Sequence, residues 1–195
     1  MTTFRKRVFT PATFIISLSK AVIYSPLLIK ALIKPATSRA LREKVMLSTT
    51  SVNDCRYCSW VHTNLALQNG VDLDELNQIL SGVTGDLNND KEAVAVIFAQ
   101  HFAEQQGKPE TNLKGQLNAV FNGKQKREIM AYIHAIYFSN LSGNTFDALL
   151  ARFKGDKVVD SQFWFEVVSS LISWPIFTAI MLSSRKSKGT KLDVL

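Results

Sequence analysis

Asp54-Cys55-Arg56-Tyr57-Cys58-Ser59-Trp60-Val61-His62 holds both cysteines of the chain and one of its three histidines. On a helix advancing about 100° per residue, positions 55, 58 and 62 stand at relative angles of about 0°, −60° and −20°. Two thiols and an imidazole therefore share one narrow arc of a single face. The C-x-x-C spacing lets the two sulfurs close a disulfide reversibly. If the helix begins near Cys55, its unpaired N–H groups and positive dipole end stabilise a thiolate. A thiol ionised in this way is a nucleophile at neutral pH. His62, one turn beyond Cys58, can accept its proton directly or through water.

Around this stretch the chain reads as helical throughout, from apolar residues spaced three and four apart, polar caps and terminating glycines. Thr10-Pro11 predicts a first helix, and Ser25-Pro26 repeats the signal for a short second one. After Pro35, Thr37 or Ser38 can cap a helix containing Leu41, Val45, Met46 and Leu47. The polar turn Ser51–Asp54 precedes the motif segment, which runs to about Asn69 and stops at Gly70. Asp72 can cap Leu73–Leu80, before Gly82 and Gly85 break the pattern. Asn89 or Asp90 opens a segment carrying Ala93, Val96, Ile97, Ala99 and Phe102, which ends at Gly107. Residues 125–153 form the longest periodic stretch, from Ile129 to Phe153. No segment alternates with period two beside a hairpin turn, so strand content near zero is expected.

The 195 residues suit one domain, with a core over 35–155, an apolar and basic arm over 1–34, and a hydrophobic helix with a basic tail over 156–195. Nine glycines, five prolines and two cysteines exclude collagen, low-complexity disorder and a disulfide-stapled mini-protein. The net charge of +7 is unevenly placed: residues 1–53 carry +8, residues 54–150 carry −4 and residues 151–195 carry +3. A mildly acidic centre argues against nucleic acid as a partner, because that function interleaves basic and aromatic residues on one surface.

Both ends are apolar. Val8–Ser19 follows Arg5-Lys6-Arg7 as in a signal peptide, but Pro11 falls inside the run, Lys20 ends it and no Ala-x-Ala pattern follows. A cytoplasmic location is therefore expected. Val167–Ser184 is an uncharged stretch of 18 residues with Pro175 near its middle. It reads as a core or subunit-interface helix, with a membrane-surface helix and, last, a true span as alternatives. Peripheral membrane association of the ends stays open.

Three other readings of the cysteines compete. A structural zinc site needs four ligands, and His101 and His134 are isolated on predicted helices. A thioredoxin-type site follows a strand, and none is visible here. The pair can also be inert and buried.

The stretch Leu41-Arg42-Glu43-Lys44-Val45, the motif Cys55-x-x-Cys58-x-x-x-His62, and the following Asn69-Gly70 and Val71-Asp-Leu-Asp-Glu-Leu76 resemble the AhpD-like, carboxymuconolactone decarboxylase superfamily. They resemble its alkylhydroperoxidase branch more closely, whose signature sets a Glu about twelve residues before C-x-x-C-x-x-x-H. Glu43 fills that position. Tyr137–Asp147, with Asn140 and Asn144, is similar to the family's second-half helix. One departure is Tyr57, where the reference pattern often has His. Asn140, Asn144 and Asp147 share a helical face and read as buried hydrogen-bonding residues at an interface or capping a neighbouring helix.

The resemblance implies an all-α, AhpD-like helical bundle that assembles as a homo-oligomer and needs no metal or organic cofactor. It implies a peroxidase or disulfide oxidoreductase acting on a hydroperoxide or disulfide. Carried over, Cys58 attacks the peroxide, Cys55 resolves the sulfenic acid to a Cys55–Cys58 disulfide, and Glu43 with His62 relays protons. A thiol protein or small thiol must then reduce the pair. Alternatives are a decarboxylase-like lyase on the same fold, which does not depend on C-x-x-C, and a non-enzymatic redox-sensing or membrane-peripheral protein. Apart from the resemblance, Glu43 reads as a surface acid pairing with Arg39, Arg42 or Lys44.

Overall fold

The computed structural model describes residues 3–82 and 90–185, and these are almost wholly helical. Helix α1 spans Pro11–Ile33, α2 Arg39–Asn53, α3 Arg56–Gln68, α4 Leu73–Leu80 and α5 Asp90–Glu104. They are followed by α6 Thr111–Val120, α7 Gly123–Phe153 and α8 Phe163–Arg185. The expected all-α bundle is what the chain forms. The strands among the described residues are two-residue pieces, β1 (Thr3–Phe4) and β2 (Lys157–Val158), paired in parallel. Gly85, Asn89 and the basic tail beyond Arg185 lie outside the described residues.

Caps explain most of the boundaries. Thr10 accepts from the Thr13 N–H, and Pro11 takes the first helical position. Ser38 accepts from the Leu41 N–H at the start of α2, and Asp72 from the Asp74 N–H at the start of α4. Asn122 and Gln125 form a capping box that starts α7 two residues earlier than its apolar period indicates.

Two expectations are corrected. Ser25-Pro26 does not open a second helix, because α1 continues through it. Pro26 has no N–H for the Val22 carbonyl, but the Ser25 hydroxyl donates to that carbonyl at 2.8 Å and replaces the lost bond locally. The polar segment α6 was not anticipated: its weak apolar period buries only Leu117 fully.

Helix α7 is the spine of the fold. Thr37 meets Tyr132, Thr50 meets Asn140 and Asn53 meets Asn144, so α2 runs parallel beside α7. The main core gathers Leu41, Val45 and Met46 of α2, Phe98 and Phe102 of α5, and Ile129, Tyr132 and Ile133 of α7, and it includes both cysteines. Helices α1 and α8 lie on α7 and touch each other through Phe14 and Phe165, whose rings are 5.7 Å apart. Both keep apolar side chains in solvent, among them Ile16 and Ile23 on α1 and Leu171 and Trp174 on α8. By length and composition α1 is the helix among the described residues that meets the requirement for crossing a membrane.

Candidate active site

The site is built at the junction of α2 and α3. Asp54 ends α2 in the left-handed conformation (φ 52°), and Cys55, extended at φ −89°, is the N-cap residue of α3. The chain thus turns sharply within two residues, and the first turn of α3 points its free N–H groups at the motif. Cys58 lies one turn along. The two sulfurs are 2.9 Å apart as free thiols, and their residues are 1% and 5% exposed.

Within the pair the sulfurs differ. The hydrogen bond from Cys58 lowers the Cys55 pKa, and the N–H groups of Cys58 and Tyr57 reinforce this against burial and the Asp147 charge. The same bond, together with burial, raises the Cys58 thiol well above its ordinary value. The first negative charge therefore belongs on Cys55, with Cys58 as its hydrogen-bond donor.

Glu43 sits on α2, fully buried rather than on the surface. Its Oε2 is 2.7 Å from His62 Nδ1, and Arg42 Nε donates to Oε1 at 2.6 Å. Burial alone would raise this carboxyl, but the hydrogen bond and charge of His62, followed by the charge of Arg42, outweigh it and hold the pKa below the ordinary value. A carboxylate at Nδ1 fixes the tautomer and leaves Nε2 as the basic nitrogen. No hydrogen bond joins His62 to either sulfur, so a proton passing between them needs a bridging water. Lys44, beside Glu43 in sequence, is engaged elsewhere, by Glu75 at 2.6 Å and Glu92 at 2.8 Å.

The polar face of α7 completes the junction. Asn144 Nδ2 donates to the Asn53 carbonyl at 2.6 Å and so caps the end of α2, one of the two roles its spacing suggested. Thr50 Oγ1 donates to Asn140 Oδ1 at 3.1 Å. Asp147 Oδ1 accepts from Tyr57 Oη at 2.7 Å and from Arg56 Nη2 at 2.6 Å, while Lys6 Nζ lies 3.9 Å from Oδ2. Burial, then the Asp147 bond, push the Tyr57 phenol up to about 12. Tyr57 is thus a fixed, neutral hydrogen-bond donor where a histidine would titrate. The link from Asp147 to the motif was missed in the sequence. Its only trace is the 140/144/147 spacing, which matches Thr50, Asn53 and Tyr57 on the facing helices.

Lys6 also donates to the Asp54 carbonyl at 2.8 Å, and Arg7 donates to the Ala103 carbonyl at 2.6 Å. The basic segment before α1 is therefore tied down beside the motif. Between it and Val52–Asp54 opens a cavity of about 560 Å³. His134 packs against the Tyr24 and Phe102 rings. Among the described residues no group of three or more His, Cys, Asp and Glu is placed to hold a metal ion.

Residues 27–101 match the model of the carboxymuconolactone decarboxylase family, a span that contains Glu43, Cys55, Cys58 and His62. Searches among curated proteins and among solved structures gave no match.

Proposed function

We propose that this protein is a thiol-dependent peroxidase or disulfide oxidoreductase working through Cys55 and Cys58, a reading supported by the match of the segment that carries both sulfurs, Glu43 and His62 to the carboxymuconolactone decarboxylase family model. The observation that carries the reading is the pair of free sulfurs 2.9 Å apart at a helix N-terminus, with the Glu43–His62 pair in the same segment.

The steps balance as follows. His62, oriented by Glu43, takes the Cys55 proton through water. The Cys55 thiolate attacks one peroxide oxygen, the O–O bond breaks, and the leaving oxygen recovers a proton from His62. Cys55 is then a sulfenic acid. The Cys58 sulfur displaces its hydroxyl as water and closes the disulfide, which stops further oxidation. A dithiol protein or two small thiols return two electrons and two protons by exchange through a mixed disulfide. The resemblance reverses the two cysteine roles. The order adopted here puts the thiolate on Cys55, which stands at the N-cap of α3 and receives the N–H groups of Tyr57 and Cys58.

A homo-oligomer in the cytoplasm, with the apolar faces of α1 and α8 meeting other subunits or a membrane surface, completes the proposal. The test uses peroxide and single serine variants. Cys58→Ser should leave a sulfenic acid on Cys55 that a dimedone-type probe traps, and Cys55→Ser should not react. The opposite pattern restores attack to Cys58, and no reaction in the wild type removes the peroxidase reading.

A further inference from the structure

Four buried polar atoms next to the motif have no hydrogen-bond partner among the described residues: Nδ2 and Oδ1 of Asn53, Nδ2 of Asn140 and Oδ1 of Asn144. The three residues are 1%, 0% and 0% exposed. Buried amides are almost always paired, so each unpaired atom calls for a partner. These four are not scattered. Asn140 and Asn144 are one turn apart on α7, and Asn144 already holds the Asn53 carbonyl. Asn53 is the last residue of α2, two before Cys55.

The unpaired groups are two amide N–H₂ donors and two carbonyl acceptors. A partner that satisfies them must both donate and accept, must carry little apolar bulk and must fit a closed interior. We propose that Asn53, Asn140 and Asn144 form a subsite for a small hydroxylic molecule, water at rest and hydrogen peroxide at turnover. Hydrogen peroxide, rather than a bulky organic hydroperoxide, is then the substrate class. The inference rests on the peroxidase reading and adds a recognition element to it.

Both sulfurs are buried as well, at 1% and 5% exposure, so the reaction takes place inside the protein. Hydrogen peroxide has two O–H donors and two acceptor oxygens, which matches the amide set. In the reaction the Cys55 thiolate bonds to one oxygen and the O–O bond breaks. The departing hydroxide receives the amide N–H bonds until His62 returns its proton and it leaves as water. Two thiols and one peroxide thus give one disulfide and two waters.

The experiment follows free-thiol loss in the reduced full-length protein with hydrogen peroxide and with cumene hydroperoxide, for the wild type and for Asn140→Leu. This substitution keeps the side-chain volume, and Thr50 Oγ1 retains its bond to the Met46 carbonyl at 2.8 Å. In the wild type, hydrogen peroxide should act at least tenfold faster than cumene hydroperoxide. In Asn140→Leu the hydrogen peroxide rate should fall at least tenfold, while iodoacetamide alkylation and its pH profile stay within twofold of wild type. Equal wild-type rates with the two peroxides overturn the subsite and leave the peroxidase reading standing. An unchanged hydrogen peroxide rate in a folded Asn140→Leu does the same. If neither peroxide consumes thiols, the peroxidase reading fails and the subsite with it. If Asn140→Leu does not fold, the wild-type comparison decides.

Discussion

His62 Nδ1 and Glu43 Oε2 stand 2.7 Å apart across nineteen residues of sequence, on helices that meet at the turn carrying Cys55. The carboxylate is fully buried and has Arg42 on its other oxygen. Glu43→Gln keeps the shape but removes the charge that holds His62 in its reactive tautomer. Peroxide-driven thiol loss should slow by roughly 10²-fold, the usual scale for losing a positioned base. Glu43→Ala also strips Arg42 of its partner, and about 3 kcal/mol of stability should be lost in urea unfolding. Wild-type kinetics in Glu43→Gln would remove the relay.

Asp147 sets the motif from the side of α7. Its charge opposes ionisation of Cys55, and its carboxylate holds Tyr57 neutral. Asp147→Asn should lower the Cys55 pKa and speed iodoacetamide alkylation at neutral pH. The Tyr57 phenol should titrate below its wild-type value of about 12, which ultraviolet absorbance reads directly. If neither titration moves, Asp147 is only a structural anchor.

The acid stability of the fold depends on a histidine outside the site. Burial, with the charge of Lys20, lowers His134 to about 4. Between its unfolded value of 6.5 and that figure the unfolded chain binds the extra proton. Stability is therefore complete above about pH 6.5 and declines toward pH 4. Glu43, whose carboxyl is also held below its ordinary value, adds a loss that sets in as pH falls below 4.5. His134→Phe should flatten the upper part of this decline in thermal melts. An unaltered slope would assign it to other groups.

Much of this was legible in local chemistry. Asp72 capping α4 follows from spacing alone, whereas the arc of 55, 58 and 62 assumes a helical Cys55, and Cys55 is instead the extended N-cap residue of α3. The unbroken α1 was not legible, since a proline normally ends a helix and its rescue depends on one serine rotamer. Nor were the partners of Asn140, Asn144 and Asp147, because they depend on α2 lying parallel to α7, a tertiary fact with no local signal. Glu43 shows the same limit. Its neighbours Arg42 and Lys44 suggest a solvated charge cluster, and only the packing of α2 under α3 turns it inward.

The central claim is that Cys55 and Cys58 are a working redox pair. Its most direct test is a free-thiol titration of the purified protein before and after equimolar hydrogen peroxide, with peptide mapping of the product. The expected result is loss of both thiols to an intramolecular Cys55–Cys58 disulfide and their full return with dithiothreitol. Two thiols still free after peroxide, at the same titre as before, would contradict it.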